Sequence, residues 1–213
     1  MISRVTAAVL LLIYLFNVHM TVAQEEEGLG FLSFDSAPPQ KVSCPNMRVV
    51  SDFKLDEYMG RWYELERFEV PFQTGDCGTV DYYPDTNRTF SLVKTEVSKG
   101  KPVVTKGTAV ATEETTRSRF YVTLPDIPEG DGSPNYNVVA TDYRTFAVIY
   151  TCVPLGFNDK LEFAWIMGRK EKLPDKFLII IKKWIQKFGI EIENFSRVNQ
   201  ANCIRTPQTS TQS

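Results

Sequence analysis

The sequence is almost devoid of histidine. Its single example, His19, falls in a segment read below as a removable leader, so the mature chain would carry none. That absence excludes Ser-His-Asp and Cys-His hydrolysis, histidine-ligated haem and histidine-containing zinc sites. Cysteine is sparse as well. There are four, Cys44, Cys77, Cys152 and Cys203, and no two lie close together, which rules out the paired spacing of a thiolate zinc site. In an oxidising compartment an even count points to two disulfides, with three pairings open. Tying up the thiols removes the usual nucleophile–base pairs too. The expectation is a protein that is not an enzyme and needs neither metal nor cofactor. There is no excess of basic charge: 24 Lys and Arg stand against 26 Asp and Glu, a formal net charge of −2. A nucleic-acid binder would show a clustered basic face, so no nucleic-acid partner is expected.

Long apolar runs are also missing. The one near the start, residues 9–16, is too short to span a bilayer and breaks at Asn17 and His19. With Arg4 before it and the small residues Thr21 and Ala23 after it, it reads as a secretory signal peptide, residues 1–23, cleaved after Ala23. Residues 24–43 open with Glu25, Glu26 and Glu27 and read as a flexible acidic leader. Residues 206–213 form a polar tail that lacks the greasy stretch of a lipid-anchor signal. Residues 44–205 suit one domain, and the expected location is extracellular.

From Gly60 the pattern becomes β-like. Short runs rich in aromatic and β-branched residues alternate with turn punctuation. Strands are predicted at 61–68, 79–83, 89–97, 103–112, 119–124, 136–141, 145–153 and 161–169. Turn signals separate them, among them Pro84-Asp85-Thr86-Asn87 and Lys99-Gly100-Lys101-Pro102. Eight strands with short links predict an all-β fold, an eight-stranded up-and-down antiparallel barrel; a two-sheet sandwich is the rival. The period then changes. Phe177, Ile181, Trp184 and Phe188 recur at helical spacing beside Leu178 and Ile185, with Lys182, Lys183 and Lys187 off the stripe. Pro174 suits the first turn and Gly189 the stop. The last two strands are apolar on both faces and need cover on both, so this one C-terminal α-helix should pack outside them. Residues 190–193 read as a short closing strand.

These pieces resemble the lipocalin family. Gly60-Arg61-Trp62-Tyr63 on the first strand is similar to the first lipocalin signature, Thr141-Asp142-Tyr143 to the second, and Arg169, ending the eighth strand, to the third. The resemblance runs from Cys44 to Cys203. It is nearest to the apolipoprotein D branch and its insect relatives of the Lazarillo and bilin-binding type, through Gly60-Arg61-Trp62-Tyr63-Glu64-Leu65-Glu66, Ala140-Thr141-Asp142-Tyr143 and Phe163-Ala164-Trp165-Ile166. The resemblance implies that Trp62 plugs the closed end with Arg169 across its ring, a cation–π contact of about 1–2 kcal/mol when shielded from water. Gly60, Trp62, Thr141, Asp142, Tyr143 and Arg169 are thus expected to be structural. It also implies the pairing Cys44–Cys152 and Cys77–Cys203.

The same resemblance sets which side chains face inward, and with them the expected ligand contacts: Tyr82, Phe120, Val122, Tyr136, Val138, Ile149, Phe163 and Trp165. Val80, Leu124, Ala147, Thr151 and Met167 share the inward parity. Small residues at Gly107, Ala109 and Ala147 are expected to leave space. Glu64 and Glu66 share parity with Trp62, so a regular strand would aim both carboxylates into the barrel, with Lys94 as a candidate partner; a bulge would turn both outward. Rim loops carrying Phe72, Leu155 and Phe157 are candidate contacts for a membrane or lipoprotein surface. Asn87 and Asn194 head N-glycosylation sequons. The function implied is a secreted carrier of a small lipophilic molecule: a fatty acid, sterol-like compound, retinoid or bilin. The alternatives are an extracellular interaction protein in stress or neural signalling and, least favoured, an enzyme acting on a bound lipid.

Overall fold

The computed structural model describes residues 44, 47–69, 73–112, 118–125, 132–156 and 159–205. The leader segments, the polar tail, Phe72 and Phe157 lie outside the described residues.

A four-residue helix, α1 (Leu55–Tyr58), precedes eight strands: β1 (Gly60–Phe68), β2 (Asp76–Pro84), β3 (Thr89–Ser98), β4 (Lys101–Ala111), β5 (Arg119–Thr123), β6 (Tyr136–Thr141), β7 (Phe146–Gly156) and β8 (Asp159–Gly168). Each pairs antiparallel with the next, and β1 pairs with both β2 and β8, so the sheet closes on itself. The architecture is an eight-stranded antiparallel barrel, not a sandwich. Closure satisfies the backbone groups that an edge would expose.

The seam is divided. Residues Gly60 to Tyr63 pair with Tyr82 to Thr79 of β2. Farther along, β2 diverges and its place beside β1 is taken by β9 (Phe195–Arg197), which pairs with Glu66, Arg67 and Phe68. The closing strand expected at 190–193 is displaced to β9: Ile192–Asn194 is a 3-10 turn instead. Gln200 completes the seam, its amide donating to the carbonyls of Glu64 (2.7 Å) and Gly78 (2.9 Å).

Alternation along the strands produces two cores. Trp62, Val80, Tyr82, Leu92, Phe120, Val138, Ile149 and Met167 pack inside the barrel. Leu65, Val139, Val148, Tyr150, Ala164 and Ile166 face outward and are covered by α2 (Asp175–Ile185). Two overlapping apolar stripes run along this helix. The buried one is aliphatic, Leu178, Ile181 and Ile185, with Phe177 and Phe188 at its margin. Trp184, expected on the buried stripe, is 40% exposed, and Lys182 turns inward to Glu66 (2.9 Å). Compact aliphatic side chains fit between the β-branched residues of β7 and β8, and the helix rolls to seat them. Pro174 caps the helix, and Gly189 (φ 80°) ends its last turn.

Disulfides Cys44–Cys152 and Cys77–Cys203 span 108 and 126 residues. Cross-links over loops this long contribute about 4–5 kcal/mol each in the chain-entropy model. The first holds the entering chain against β7. The second holds the C-terminal segment, with Gln200, against β2.

The roll of α2 is open to test by denaturant unfolding. Ile185→Ala, at a fully buried site, should cost about 2–5 kcal/mol, whereas Ile180→Ala, on the exposed side, should stay within about 0.5 kcal/mol. Equal losses would mean the helix presents a different face.

Candidate functional site

One end of the barrel is closed by a stack of rings around Trp62. Tyr58 lies 5.4 Å from Trp62 and 5.2 Å from Tyr82, and Tyr82, Phe90 and Phe120 continue the stack at 5.4 and 5.0 Å. The Trp62 indole N–H donates to the Tyr58 carbonyl at 2.8 Å. Across its outer face lies Arg169, its guanidinium carbon 3.8 Å from the ring centroid. The same guanidinium donates to the carbonyls of Arg61 (2.9 Å), Glu57 (2.9 Å), Tyr58 (3.2 Å) and Tyr143 (3.0 Å). One planar cation thereby ties α1, β1, the β6–β7 turn and the end of β8 together. Burial lowers the Arg169 pKa from its ordinary value. Gly60, at φ 88°, makes the corner from α1 into β1, a conformation that a side chain would strain.

The β6–β7 turn is built by its own polar groups. Thr141 donates to the Phe146 carbonyl and accepts from the Tyr143 N–H, both at 2.8 Å. One Asp142 oxygen accepts the N–H groups of Arg144, Thr145 and Phe146 at 3.2, 2.7 and 3.0 Å. Burial works to raise the Asp142 pKa, but these hydrogen bonds outweigh it and hold the carboxyl below its ordinary value. The turn keeps Tyr143 at φ 64°, with its carbonyl aimed at Arg169.

Above the plug lies a cavity lined by Val80, Tyr82, Leu92, Val122, Leu124, Tyr136, Ile149, Trp165 and Met167, with Glu64, Lys94, Asn135 and Thr151 as its polar members. About 470 Å³ there, the open mouth included, is free of atoms, but only about 40 Å³ is wide enough for the centre of a water molecule. Wider hollows lie outside the barrel. One of about 500 Å³, between β7–β8 and the segment around Ile190–Ser196, is an open, mostly polar cleft lined by Glu69, Glu162, Glu191 and Glu193 beside Phe68, Tyr150 and Ile190.

Residues 59–202 match the model of the Lipocalin / cytosolic fatty-acid binding protein family. The chain is a lipocalin. It is 30% identical over 165 residues to apolipoprotein D of Mus musculus, an alignment covering 75% of this chain and 84% of that one. It is 24% identical over 149 residues to the bilin-binding protein of Pieris brassicae, covering 67% and 76%. Among solved structures, insecticyanin of Manduca sexta superposes with a TM-score of 0.61 at 22% identity, covering 74% of this chain and 86% of that one.

Of the residues expected to contact a ligand, Tyr82, Val122, Tyr136, Ile149 and Trp165 line the cavity of this lipocalin. Phe120 belongs to the aromatic plug, Val138 is fully buried in the inner core, and Phe163 is 1% exposed with its ring 5.9 Å from that of Trp165. Leu92 and Asn135 were not anticipated. Asn135 is held by its side chain, which accepts from the Val122 N–H (2.8 Å) and donates to the Val122 carbonyl (2.9 Å). Gly107 does not leave space as expected. A Cβ there would lie 2.5 Å from the Thr123 carbonyl oxygen and 2.6 Å from Leu124 Cδ2, so the neighbouring strand and its leucine occupy the room that the glycine vacates.

The two glutamates part company. A bulge in β1 between Glu64 and Glu66 shifts the register against β8. Glu64 faces the cavity, whereas Leu65 and Glu66 turn to the helix side. Neither a regular strand nor a bulge reversing both describes this, because the bulge falls between them. Nor is Lys94 the partner of Glu64. The carboxylate accepts from Arg67 (2.9 Å) and Gln73 (3.0 and 2.8 Å). Arg67 also approaches Glu96 (3.6 Å), which in turn lies 3.7 Å from Lys94. Two buried carboxylates and two cations thus form a balanced cap at the wide end, as buried charge requires. Gly78 lets it assemble: a Cβ there would press into the Glu64 carboxylate.

At the other end of the cavity, Tyr136 shares its hydroxyl with Tyr82 (2.6 Å) and Tyr58 (3.1 Å). Burial pushes Tyr58 up from 10.0 to about 12 and raises Tyr82 and Tyr136 well above their ordinary value. A raised phenol pKa stabilises the fold in full below pH 10 and less and less as pH rises through the folded value, because the unfolded chain ionises first. Unfolding free energy should therefore fall above about pH 10, by up to about 1.4 kcal/mol per pH unit for each such tyrosine. Tyr58→Phe should make the decline shallower in denaturant melts. An unaltered decline would remove Tyr58 from this account.

Proposed function

We propose that this lipocalin is a secreted carrier that encloses one small hydrophobic molecule, such as a fatty acid, sterol-like compound, retinoid or bilin, inside its barrel. The observation that carries the reading is the internal cavity, apolar along its walls and capped by paired charges of opposite sign. Apolar enclosure is what a lipophilic ligand requires. The name of the related bilin-binding protein supports this class of cargo. Catalysis has little to work with, since all four cysteines are bonded and no thiol is free.

The free space sets a condition on uptake. Ligand pockets typically measure roughly 300–1,000 Å³, far above the 40 Å³ open here, so entry must displace side chains. Leu124 and Trp165 are the large apolar lining groups that are only partly buried, and they are the ones to yield. Contacts from Tyr82, Val122, Tyr136 and Ile149 would complete the enclosure, with Phe120, Val138 and Phe163 supporting from behind. Secretion is supported by the apolar N-terminal stretch and the two disulfides. Asn87 and Asn194 are both exposed and head sequons, and we assign them as glycosylation sites.

Mass spectrometry of lipophiles extracted from the natively secreted protein should recover a bound apolar molecule. Titration with it should change Trp165 fluorescence. Trp165→Ala should weaken binding roughly ten- to hundredfold, the range expected for losing about 1.5–3 kcal/mol of aromatic burial. Unchanged affinity in a folded variant would exclude this cavity as the binding site.

A further inference from the structure

The helix that covers the barrel carries more apolar surface than the barrel can cover. Leu178, Ile181 and Ile185 are spent on the sheet. On the solvent side, Ile179 is 50% exposed, Ile180 61% and Trp184 40%, and the Trp184 ring meets Phe188 at 4.7 Å, extending the apolar strip by a turn. Between these side chains lie Lys176, Lys183 and Lys187, all exposed. At 100° per residue, the three lysines cluster on the outward arc. Ile179 flanks them on one side, and Ile180 and Trp184 on the other.

The charge on this face is uncompensated. Residues 170–188 hold six lysines and two carboxylates within a chain of net charge −2. Both carboxylates are engaged elsewhere, Asp175 with Arg197 and Glu171 with Arg205, each at 2.9 Å. Lys182 is drawn inward to Glu66. No ion pair joins Lys176, Lys183 or Lys187 to a carboxylate among the described residues.

Exposed isoleucines and a tryptophan interleaved with free lysines satisfy two requirements at once. The apolar groups can enter the boundary between headgroups and acyl chains, while the ammonium groups snorkel to phosphate and carboxylate above it. We propose that the outer face of α2 docks this lipocalin onto anionic phospholipid surfaces, with the helix lying in the plane of the interface. The rim loops, considered for such contact from the sequence, are not needed for it. The docking face lies on the outside of the barrel wall and is built whether or not the cavity is filled. Its test is accordingly independent of the carrier reading.

The experiment is co-sedimentation of the full mature protein with vesicles of phosphatidylcholine alone or with about one third phosphatidylserine. Binding is expected only with the anionic lipid, weakening as salt is raised. Lys176→Gln/Lys183→Gln/Lys187→Gln should weaken it about a hundredfold, taking roughly fivefold per lysine near a charged leaflet. Ile180→Ser should weaken it with the lysines intact, and Trp184→Phe should abolish a vesicle-induced blue shift while leaving most binding in place. Circular dichroism and an unchanged thermal melting midpoint would establish that the variants are folded. The proposal is overturned if anionic vesicles do not bind the wild-type protein, or if the folded lysine and Ile180 variants bind as well as it does. It is also overturned if sedimentation shows a dimer that Ile180→Ser dissociates, since a second copy would then cover this face.

Discussion

A single guanidinium laid across an indole holds one end of this barrel shut, and much else depends on that contact. A cylinder of eight strands leaves backbone carbonyls at its rim and a hole along its axis. Trp62 fills the hole. Arg169 covers the tryptophan and absorbs four of the carbonyls. A lysine could offer a charge in the same place but not a flat fork of donors matched to several acceptors. With this end fixed, the cavity has a floor, the tyrosine hydroxyls have fixed partners, and anything entering must come from the opposite mouth.

The opposite end follows a different logic. Its buried groups are charged, and they are arranged so that no carboxylate faces the apolar space without a cation beside it. That arrangement follows from one irregular residue step in β1. Had the strand run regularly, Glu66 would have joined Glu64 inside. Because of the bulge, Arg67 joins it instead, and Glu66 is left for Lys182 on the helix. One extra residue therefore supplies an interior charge pair and an anchor for the helix together.

Much of this was legible in the sequence. Strand positions were, because alternation and turn residues are local signals: the predicted and observed bounds of β6 coincide at Tyr136–Thr141, and the other strands differ by a few residues at their ends. The existence of the helix was legible for the same reason, but its rotation was not. Phe177-Ile181-Trp184 and Leu178-Ile181-Ile185 are equally periodic, and only the shape of the sheet beneath selects between them. The bulge left no mark in β1, since Glu64, Leu65 and Glu66 would suit a regular strand as well. The aromatic plug was half visible: Trp62 stood out by resemblance, but Tyr58 lies on a helix of four residues, too short to show a period. The tightness of the cavity was invisible, because a glycine in a sequence does not say which neighbour will fill the space it leaves.

The divided seam has a consequence for how the protein is made. The first strand pairs with β2 along Gly60–Tyr63, but its other partners, β8, β9 and Gln200, come late in the chain, and Cys77 of β2 waits for Cys203. A growing polypeptide emerges N-terminus first, so β1 waits with an unpaired flank until β8 has been synthesised. Contacts this distant along the chain form slowly, and an open strand edge invites pairing with other chains in the meantime. Closure of the barrel thus waits for β8, and the rest of the seam for β9 and Gln200. A polypeptide ending before β8 would be a curled but unsealed sheet.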